Sequence, residues 1–192
     1  MTTISNVKVY DLEESVNACR YAMFTSIPDK IDFDKSLERA KKLAKCPTNS
    51  GECNFLSGIR VSFDLKYPQY LSPELQRYHW VDIVTSQSKM HSLIKMDLGK
   101  CFNKYVSSTL VDMLDKLIAE YNIAPIYKKY DLWMKILSNC PLGLELTMRI
   151  STNYLQLRTI YHQRKHHKLK EDWGEFCKFI ESLPYAKEFI TI

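Results

Sequence analysis

The chain has 192 residues, of which 45% are hydrophobic and 26% are charged, and its formal net charge is +5. This length and composition predict a single globular domain over residues 1–192 and exclude a disordered or fibrous chain. The five glycines are spaced so that neither a Gly-x-Gly-x-x-Gly loop nor a Walker-type phosphate loop is possible. A protein that binds a long duplex would usually be more basic, so nucleic acid is a less favoured partner than a small anion.

The N-terminal sequence and the cysteines bear on where the protein resides. The opening stretch MTTISNVKVYDLEES has no basic region followed by an apolar run, so we expect no signal peptide. No apolar stretch approaches the length that crosses a bilayer, so we expect no membrane partner. The six cysteines are scattered and form no C-x-x-C pair, which is typical of reduced intracellular thiols. We therefore expect a cytoplasmic protein.

The N-terminal part of the chain predicts a strand followed by two helices. Residues 7–12 alternate and are β-branched, which predicts a short strand, and residues 13–24 have helical spacing. Asp32 or Asp34 can cap a second helix over residues 33–45, because Asp is a common helix cap.

Residues 59–66 give the clearest strand in the sequence. Apolar and polar residues alternate strictly, with one face formed by Ile59, Val61, Phe63 and Leu65. The polar face either meets water or lines a site, and the general behaviour of half-buried sheets favours water. Pro68 ends this strand, and Ser72 and Pro73 then begin a helix, because Pro suits the first helical position.

Residues 81–91 are ambiguous, since they can extend that helix or form a short strand and a polar loop. The segment is rich in hydroxyl, amine and imidazole groups, which suit phosphate or amide recognition. A capped turn with solvated side chains explains the same composition equally well. The candidate substrate-binding residues of this part of the chain are Ser86, Ser88, Lys89, His91 and Ser92.

The C-terminal half predicts more helices than strands. Residues 109–121 and 124–137 have helical periodicity, with Trp133 packing inward, and residues 144–150 alternate as a strand. Residues 172–183 form a last amphipathic helix. The mixed order predicts an α+β fold in which a small, mostly antiparallel sheet packs with several helices.

The strand over residues 144–150 leads directly into a strongly basic helix over residues 153–168. The residues Ser151, Thr152 and Asn153 are good helix caps. Four cationic or imidazole side chains share one face of the helix at spacings i, i+4, i+7 and i+8, namely Arg158, His162, Lys165 and His166. A concentrated basic stripe beside a strand end predicts an anion-binding site.

Other interpretations of the basic helix stay open. It can form a nucleic-acid surface on which Tyr154, Tyr161 and Trp173 stack bases, although their spacing favours burial in the core. Arg158 can instead be a surface cation paired with Glu171 or Asp172. We expect no metal site there, because the neighbouring Arg and Lys residues repel cations and no carboxylate or cysteine stands at ligand spacing.

The residues Arg149, Asn153, Arg158 and His162 follow the spacing R-x-x-x-N-x-x-x-L-R-x-x-x-H. This pattern resembles the C-terminal signature of the flavin-dependent thymidylate synthases, the ThyX family. The resemblance implies that Arg149 and Asn153 contact the flavin and that His162 lies beside it. It further implies that Arg158 binds and polarises the base of deoxyuridylate, as the catalytic residue.

The chain departs from the family at its central motif, which reads Arg-His-Arg, seven residues, then Ser. One register places Val81-Asp82-Ile83 at Arg-His-Arg and His91 at the serine. Another register, anchored on Arg77-Tyr78-His79, places Gln87 at the serine. The upstream flavin-binding His-Glu-Thr/Ser box is replaced by Glu52-Cys53-Asn54. Half of the expected site is therefore present and half is replaced.

The resemblance implies a ThyX-like fold, FAD as the cofactor, a pyrimidine deoxynucleotide such as dUMP as the ligand, and a homotetramer. An active enzyme would use reduced flavin to transfer a one-carbon unit from a folate to dUMP. Each missing charged hydrogen bond costs about 1.5–3 kcal/mol, so flavin binding would need Lys89, His91, Lys165 or His166 as substitutes. The alternative is a non-catalytic descendant that keeps the scaffold to bind a nucleotide or a partner.

Overall fold

The computed structural model describes residues 2–192, which form a four-stranded sheet packed with α-helices. The strands are β1 (Thr3–Tyr10), β2 (Arg60–Pro68), β3 (Asp82–Ser86) and β4 (Glu145–Asn153). They lie in the order β1-β2-β4-β3, and every neighbouring pair is antiparallel. This architecture confirms the predicted α+β fold with a small antiparallel sheet.

Ten α-helices occur in the described part of the chain. They are α1 (Leu12–Ala18), α2 (Phe33–Ala44), α3 (Phe55–Gly58), α4 (Ser72–Leu75), α5 (Lys89–Ser92), α6 (Ser108–Ile123), α7 (Ile126–Asn139), α8 (Tyr154–Arg164), α9 (Lys170–Glu181) and α10 (Ala186–Phe189). The two longest, α6 and α7, are consecutive and pack against each other. None of the helices within residues 2–192 is long and apolar enough to cross a membrane.

The core lies on one face of the sheet, because the central strands β2 and β4 alternate apolar and polar residues. Val61, Phe63 and Leu65 are fully buried, as their alternation predicts. The ring of Phe63 packs against α9, with its centroid 5.8 Å from that of Phe176 and 4.7 Å from that of Phe179. The opposite face of the sheet carries the polar residues of both strands, so it meets solvent.

Several boundaries differ from the sequence prediction. The first strand begins at Thr3, four residues early, and contains an irregularity at Asn6, whose φ is 50°. The helix predicted over residues 13–24 ends at Ala18 and is followed by a 3₁₀ turn. Asp32 is the cap of α2, since its side chain accepts a 3.2 Å hydrogen bond from the backbone N–H of Lys35.

The ambiguous residues 81–91 form the edge strand β3 and then the short helix α5. All five residues of β3 are exposed, so the segment lacks the apolar alternation that would have identified a strand. The strand forms because its backbone pairs with β4 through antiparallel hydrogen bonds. Next to it, the hydroxyl of Thr152 donates a 2.7 Å hydrogen bond to the carbonyl of Trp80, which fixes the entry to β3.

The basic helix is shorter than predicted, since α8 ends at Arg164 rather than at residue 168. His166 therefore lies beyond the helix, and the predicted four-residue stripe is not continuous. Tyr154 and Trp173 are fully buried, so neither can stack on a nucleic-acid base. The nucleic-acid interpretation thus loses two of its three aromatic contacts.

Candidate functional site

Arg149 lies on the solvent-facing side of β4 and is held by neighbouring strands. Its Nη1 atom donates to Asp64 Oδ1 at 3.1 Å and to the carbonyl of Asn6 at 2.9 Å. The side chain of Asn6 also donates to Asp64, at 3.1 Å. The hydrogen bond from Asn6 and, to a smaller extent, that from Arg149 lower the pKa of Asp64, so its carboxylate is ionised at neutral pH. Arg149 is thereby engaged in an ion pair within the sheet.

Arg158 is buried in α8, with only 9% of its surface exposed. Its Nη1 atom donates a 2.6 Å hydrogen bond to the carbonyl of Ala44, the last residue of α2. The last carbonyls of a helix have no partner within the helix and carry partial negative charge. Arg158 therefore satisfies and stabilises the C-terminal end of α2.

His162 lies one turn beyond Arg158 on α8. Partial burial and the positive charges of Lys165 and Arg158 lower its pKa, although backbone contacts with Ile190 and Ile192 oppose that shift. The imidazole is therefore mainly neutral at neutral pH. A neutral His162 contributes little positive charge to the predicted anion site.

Arg164, which the sequence analysis did not single out, is the most extensively bonded cation of α8. It forms a 3.0 Å ion pair with Glu74 and donates a 2.7 Å hydrogen bond to the hydroxyl of Tyr78. Its guanidinium also lies 4.5 Å from the ring centroid of Trp173, whose Nε1 donates to the same Glu74 carboxylate at 2.7 Å. This cluster ties α4, α8 and α9 together.

A cleft of about 610 Å³ opens beside the N-terminal half of α8. Its polar wall is formed by Thr48, Ser57, His79, Asn153, Gln156 and Thr159. Two apolar residues, Trp80 and Leu155, complete the lining. The volume is within the range of small-molecule sites. The indole of Trp80 is a large aromatic surface open to this cleft, since the residue is 66% exposed.

Helical periodicity explains why Gln156 and Arg158 reach different surroundings. Gln156 and Thr159 lie on one side of α8, whereas Arg158 is rotated by about 200° from Gln156 and points into the core. Asn153 caps the helix by accepting a 2.9 Å hydrogen bond from the backbone N–H of Gln156. The cap places Asn153 at the rim of the cleft, next to the first turn of α8.

The cleft lining is poor in ionisable side chains. None of the described residues that form it is Arg, Lys, Asp or Glu, and His79 is its one imidazole. The arrangement therefore offers hydrogen-bonding amides and hydroxyls together with an aromatic surface. Such a lining suits an uncharged planar ligand better than a phosphate.

The predicted substrate-binding segment lies elsewhere. Ser86 ends β3, and Ser88 precedes α5 and accepts a 2.7 Å hydrogen bond from the hydroxyl of Ser92. Lys89 is half-buried and His91 is exposed. None of these five residues lies in the cleft lining as described. Of the residues predicted for the site, the structure brings only Asn153 to the cleft, and the ligand roles assigned to the others stay predictions.

The sequence analysis missed His79 and Trp80, although a spacing signal was present. Tyr78-His79-Trp80 is followed by seven residues and then Ser88, which reproduces the spacing Arg-His-Arg, seven residues, Ser. The registers anchored on Val81 and on Arg77 both bypass this match. In this register the central histidine is kept and aromatic residues replace both arginines.

Residues 2–192 contain no cluster of side chains that could hold a metal ion. Nowhere in that range do three His, Cys, Asp or Glu side chains come together as a cation site. The six cysteines are all free.

No protein-family model matches the chain, and no curated protein matches it by sequence. Solved structures nevertheless match its fold. Thymidylate synthase X (ThyX) from Helicobacter pylori, with FAD and dUMP, is 16% identical with a TM-score of 0.72, over 99% of this chain and 97% of that chain. A second Helicobacter pylori ThyX complex with FAD and dUMP is 15% identical with a TM-score of 0.71, over 97% of each chain.

A third structure extends the comparison. The UMP/dUMP methylase PolB from Streptomyces cacaoi, bound with 5-Br dUMP, is 9% identical with a TM-score of 0.66, over 95% of this chain and 89% of that chain. The ThyX-like fold implied by the sequence resemblance is therefore confirmed over nearly the whole chain.

Proposed function

We propose that this ThyX-fold protein binds a pyrimidine deoxynucleotide of the dUMP type. The observation that carries the proposal is the fold match over 99% of the chain to a ThyX structure containing FAD and dUMP. PolB, which shares the fold, is bound with a brominated dUMP. A pyrimidine nucleotide is thus common to the three matched structures, whereas FAD is named in two of them.

The cleft and the two signature arginines offer no free cationic side chain for the diphosphate of FAD. A diphosphate is normally held by cationic side chains or by backbone N–H groups at a helix N-terminus. Here Arg149 bonds Asp64, Arg158 bonds Ala44, and the cleft lining contains neither Arg nor Lys. We therefore propose nucleotide binding without the flavin- and folate-dependent one-carbon transfer, which is the non-catalytic alternative of the sequence analysis.

We further propose that the protein is a homotetramer, as the resemblance implies, and that it is cytoplasmic, as its scattered cysteines indicate. The tetramer is supported by a strongly exposed apolar surface at the α6–α7 connection, formed by Ile123, Ile126, Tyr127 and Tyr130. Exposed apolar patches usually mark surfaces that contact another protein. Light scattering should give four times the mass of the chain, and a monomer at micromolar concentration would contradict the tetramer.

Thermal unfolding in the presence of nucleotides tests the binding proposal. A ligand that binds only the folded protein at 100 times its Kd stabilises it by about 2.7 kcal/mol. We expect dUMP to raise the Tm and dAMP, which has the same charge but a purine base, to leave it unchanged. Added FAD should keep the absorbance spectrum of the free cofactor. No shift with any pyrimidine deoxynucleotide would refute the proposal.

A further inference from the structure

We propose that the surface at the connection between α8 and α9 binds single-stranded nucleic acid. This connection surface consists of the exposed lysines Lys165, Lys168 and Lys170 together with the ring of Tyr105. The pocket on which it borders shares no lining residue with the cleft beside Trp80. The proposal goes beyond the pyrimidine nucleotide binding proposed above and does not depend on it.

The three lysines of the connection surface are available to phosphate groups. α8 ends at Arg164 and α9 begins at Lys170, and the three residues from Lys165 to Lys168 span at most about 11 Å. All three lysines are exposed, and within residues 2–192 none of them forms an ion pair with a carboxylate. Unpaired cations so close together create a local positive potential, which attracts a phosphate backbone.

The two carboxylates that lie beside these lysines are already engaged. Glu171 accepts hydrogen bonds from Lys104 at 3.0 Å and from the hydroxyl of Tyr105 at 2.5 Å. Asp172 is only 4% exposed and accepts a 2.6 Å hydrogen bond from the hydroxyl of Tyr70. Because one carboxylate has its own cation and the other is buried, neither neutralises the lysines of the connection surface.

Tyr105 gives the connection surface an aromatic ring on which a base can stack. Together with Tyr70 it lines a pocket of about 470 Å³, to which Lys168 and Lys170 also belong. The residue is 68% exposed, yet its ring is held in place, because its hydroxyl donates to a carboxylate. The ammonium of Lys104 lies 5.0 Å from the ring centroid, so we place the base on the opposite face of the ring.

This combination of lysines and an open ring favours a single strand over other polyanions. Stacking on an aromatic side chain accepts any base, but only an unpaired base is free to leave its neighbours and stack there. A duplex keeps its bases stacked inside, and an acidic peptide has no base to place in the pocket. The single strand is therefore the polyanion that uses both the charges and the ring.

Fluorescence polarisation with a labelled oligodeoxyadenylate of about 12 nucleotides tests the proposal. Adenine is chosen because the nucleotide binding proposed above concerns pyrimidines. If each of the three lysines contacts one phosphate, the logarithm of the affinity falls with the logarithm of the salt concentration with a slope of about −2. The Kd should then rise roughly 20-fold between about 50 and 200 mM salt. Absent binding at the lower salt concentration, or a Kd that salt does not change, would overturn the proposal.

A pair of double variants separates this surface from the net charge of the protein. Lys168→Ala with Lys170→Ala should weaken binding and reduce the slope to about −0.7, because one lysine remains. The control, Lys42→Ala with Lys187→Ala, removes two exposed lysines from α2 and α10 and changes the net charge equally. It should bind as the wild type does. An equal loss of affinity in both double variants would contradict a defined binding surface.

Variants of Tyr105 test the stacking step. Tyr105→Ala should raise the Kd about tenfold, whereas Tyr105→Phe keeps the ring and should bind nearly as the wild type does. An affinity that Tyr105→Ala leaves unchanged, or an oligoglutamate of equal length that binds with the same Kd, would indicate a site for any polyanion and refute the proposal. Both variants should keep the Tm shift with dUMP, so that failure here and failure of nucleotide binding are distinguishable.

Discussion

The three arginines of β4 and α8 bond acceptors within the protein, whereas the cleft beside them has no Arg or Lys in its lining and leaves an aromatic ring exposed. Arg149, Arg158 and Arg164 each bond an acceptor inside the protein, at distances of 2.6–3.1 Å. The cleft keeps an exposed indole at Trp80 and is lined by the amide residues Asn153 and Gln156, of which Gln156 is only 9% exposed. The two signature arginines, Arg149 and Arg158, thus stabilise the fold together with Arg164, which lies outside the signature. Trp80, which stands at the position of a motif arginine, instead forms the open surface.

Replacing Arg164 should have the largest effect on stability. Arg164→Met removes the Glu74 ion pair, the Tyr78 hydrogen bond and the contact with Trp173. Breaking a largely buried ion pair is strongly destabilising, and partial exposure reduces the expected loss to about 2–3 kcal/mol. Urea denaturation measures this loss in the free energy of unfolding. The matched control Lys165→Met, one residue on and exposed, should change stability by less than about 0.5 kcal/mol. An equal loss in both variants would contradict the structural role of Arg164.

Replacing Arg158 separates its structural role from the role that the resemblance implies. Arg158→Met should lower the free energy of unfolding by about 2 kcal/mol, because the carbonyl of Ala44 loses a charged donor inside the protein. Nucleotide affinity, measured well below the Tm of the variant, should stay close to that of the wild type. Unchanged stability with lost nucleotide affinity would instead favour Arg158 as a ligand-binding residue.

The pair of Arg149 with Asp64 should appear as a pH dependence. Hydrogen bonds from Asn6 and Arg149 lower the pKa of Asp64 in the folded protein. Its carboxylate therefore contributes stability above the usual Asp pKa, and this contribution disappears as the pH falls through the lowered value. Asp64→Asn should have a lower Tm than the wild type at pH 7, and the two should converge as the pH falls through that lowered value.

The matched control replaces a carboxylate that has no hydrogen bond or ion pair of the kind that holds Asp64. Asp131 is exposed on α7 and forms no ion pair with the described residues. Asp131→Asn should follow the Tm of the wild type across the whole pH range. A gap between Asp64→Asn and the wild type that persists in acid would argue that Asp64 acts through packing rather than through its charge.

The smallest effect on stability is expected at the cleft itself. Trp80→Ala removes an indole that is mostly exposed, so the free energy of unfolding should change by less than about 0.5 kcal/mol. Chemical denaturation of the variant beside the wild type measures this difference. A loss above about 1 kcal/mol would place Trp80 among the residues that hold the fold together and would remove the contrast with the arginines.

Local patterns predicted much of the fold. The alternation of β2, the cap at Asp32 and the buried face of α9 depend on residues close in sequence, and the structure agrees with each. The burial of Arg158 could not be predicted this way, because its partner Ala44 is 114 residues away in the chain. The same holds for β3, whose exposed residues carry no strand pattern and whose pairing depends on β4.

The candidate site was less predictable than the fold, for a chemical reason. A spacing match identifies positions in the chain but not the acceptor to which each side chain donates. A guanidinium can donate hydrogen bonds to a helix carbonyl as well as to a nucleotide. The cleft also depends on Trp80, which differs in chemistry from the arginine at that motif position. Its signal was the retained spacing from His79 to Ser88.

A crystal of the protein grown with 5-bromo-2′-deoxyuridine tests the central claim most directly, because bromine marks the position of the ring by its anomalous scattering. The expected result is a bromine peak in the cleft between Trp80 and the first turn of α8. A peak beside Arg149, on the solvent-facing side of the sheet, would contradict the account.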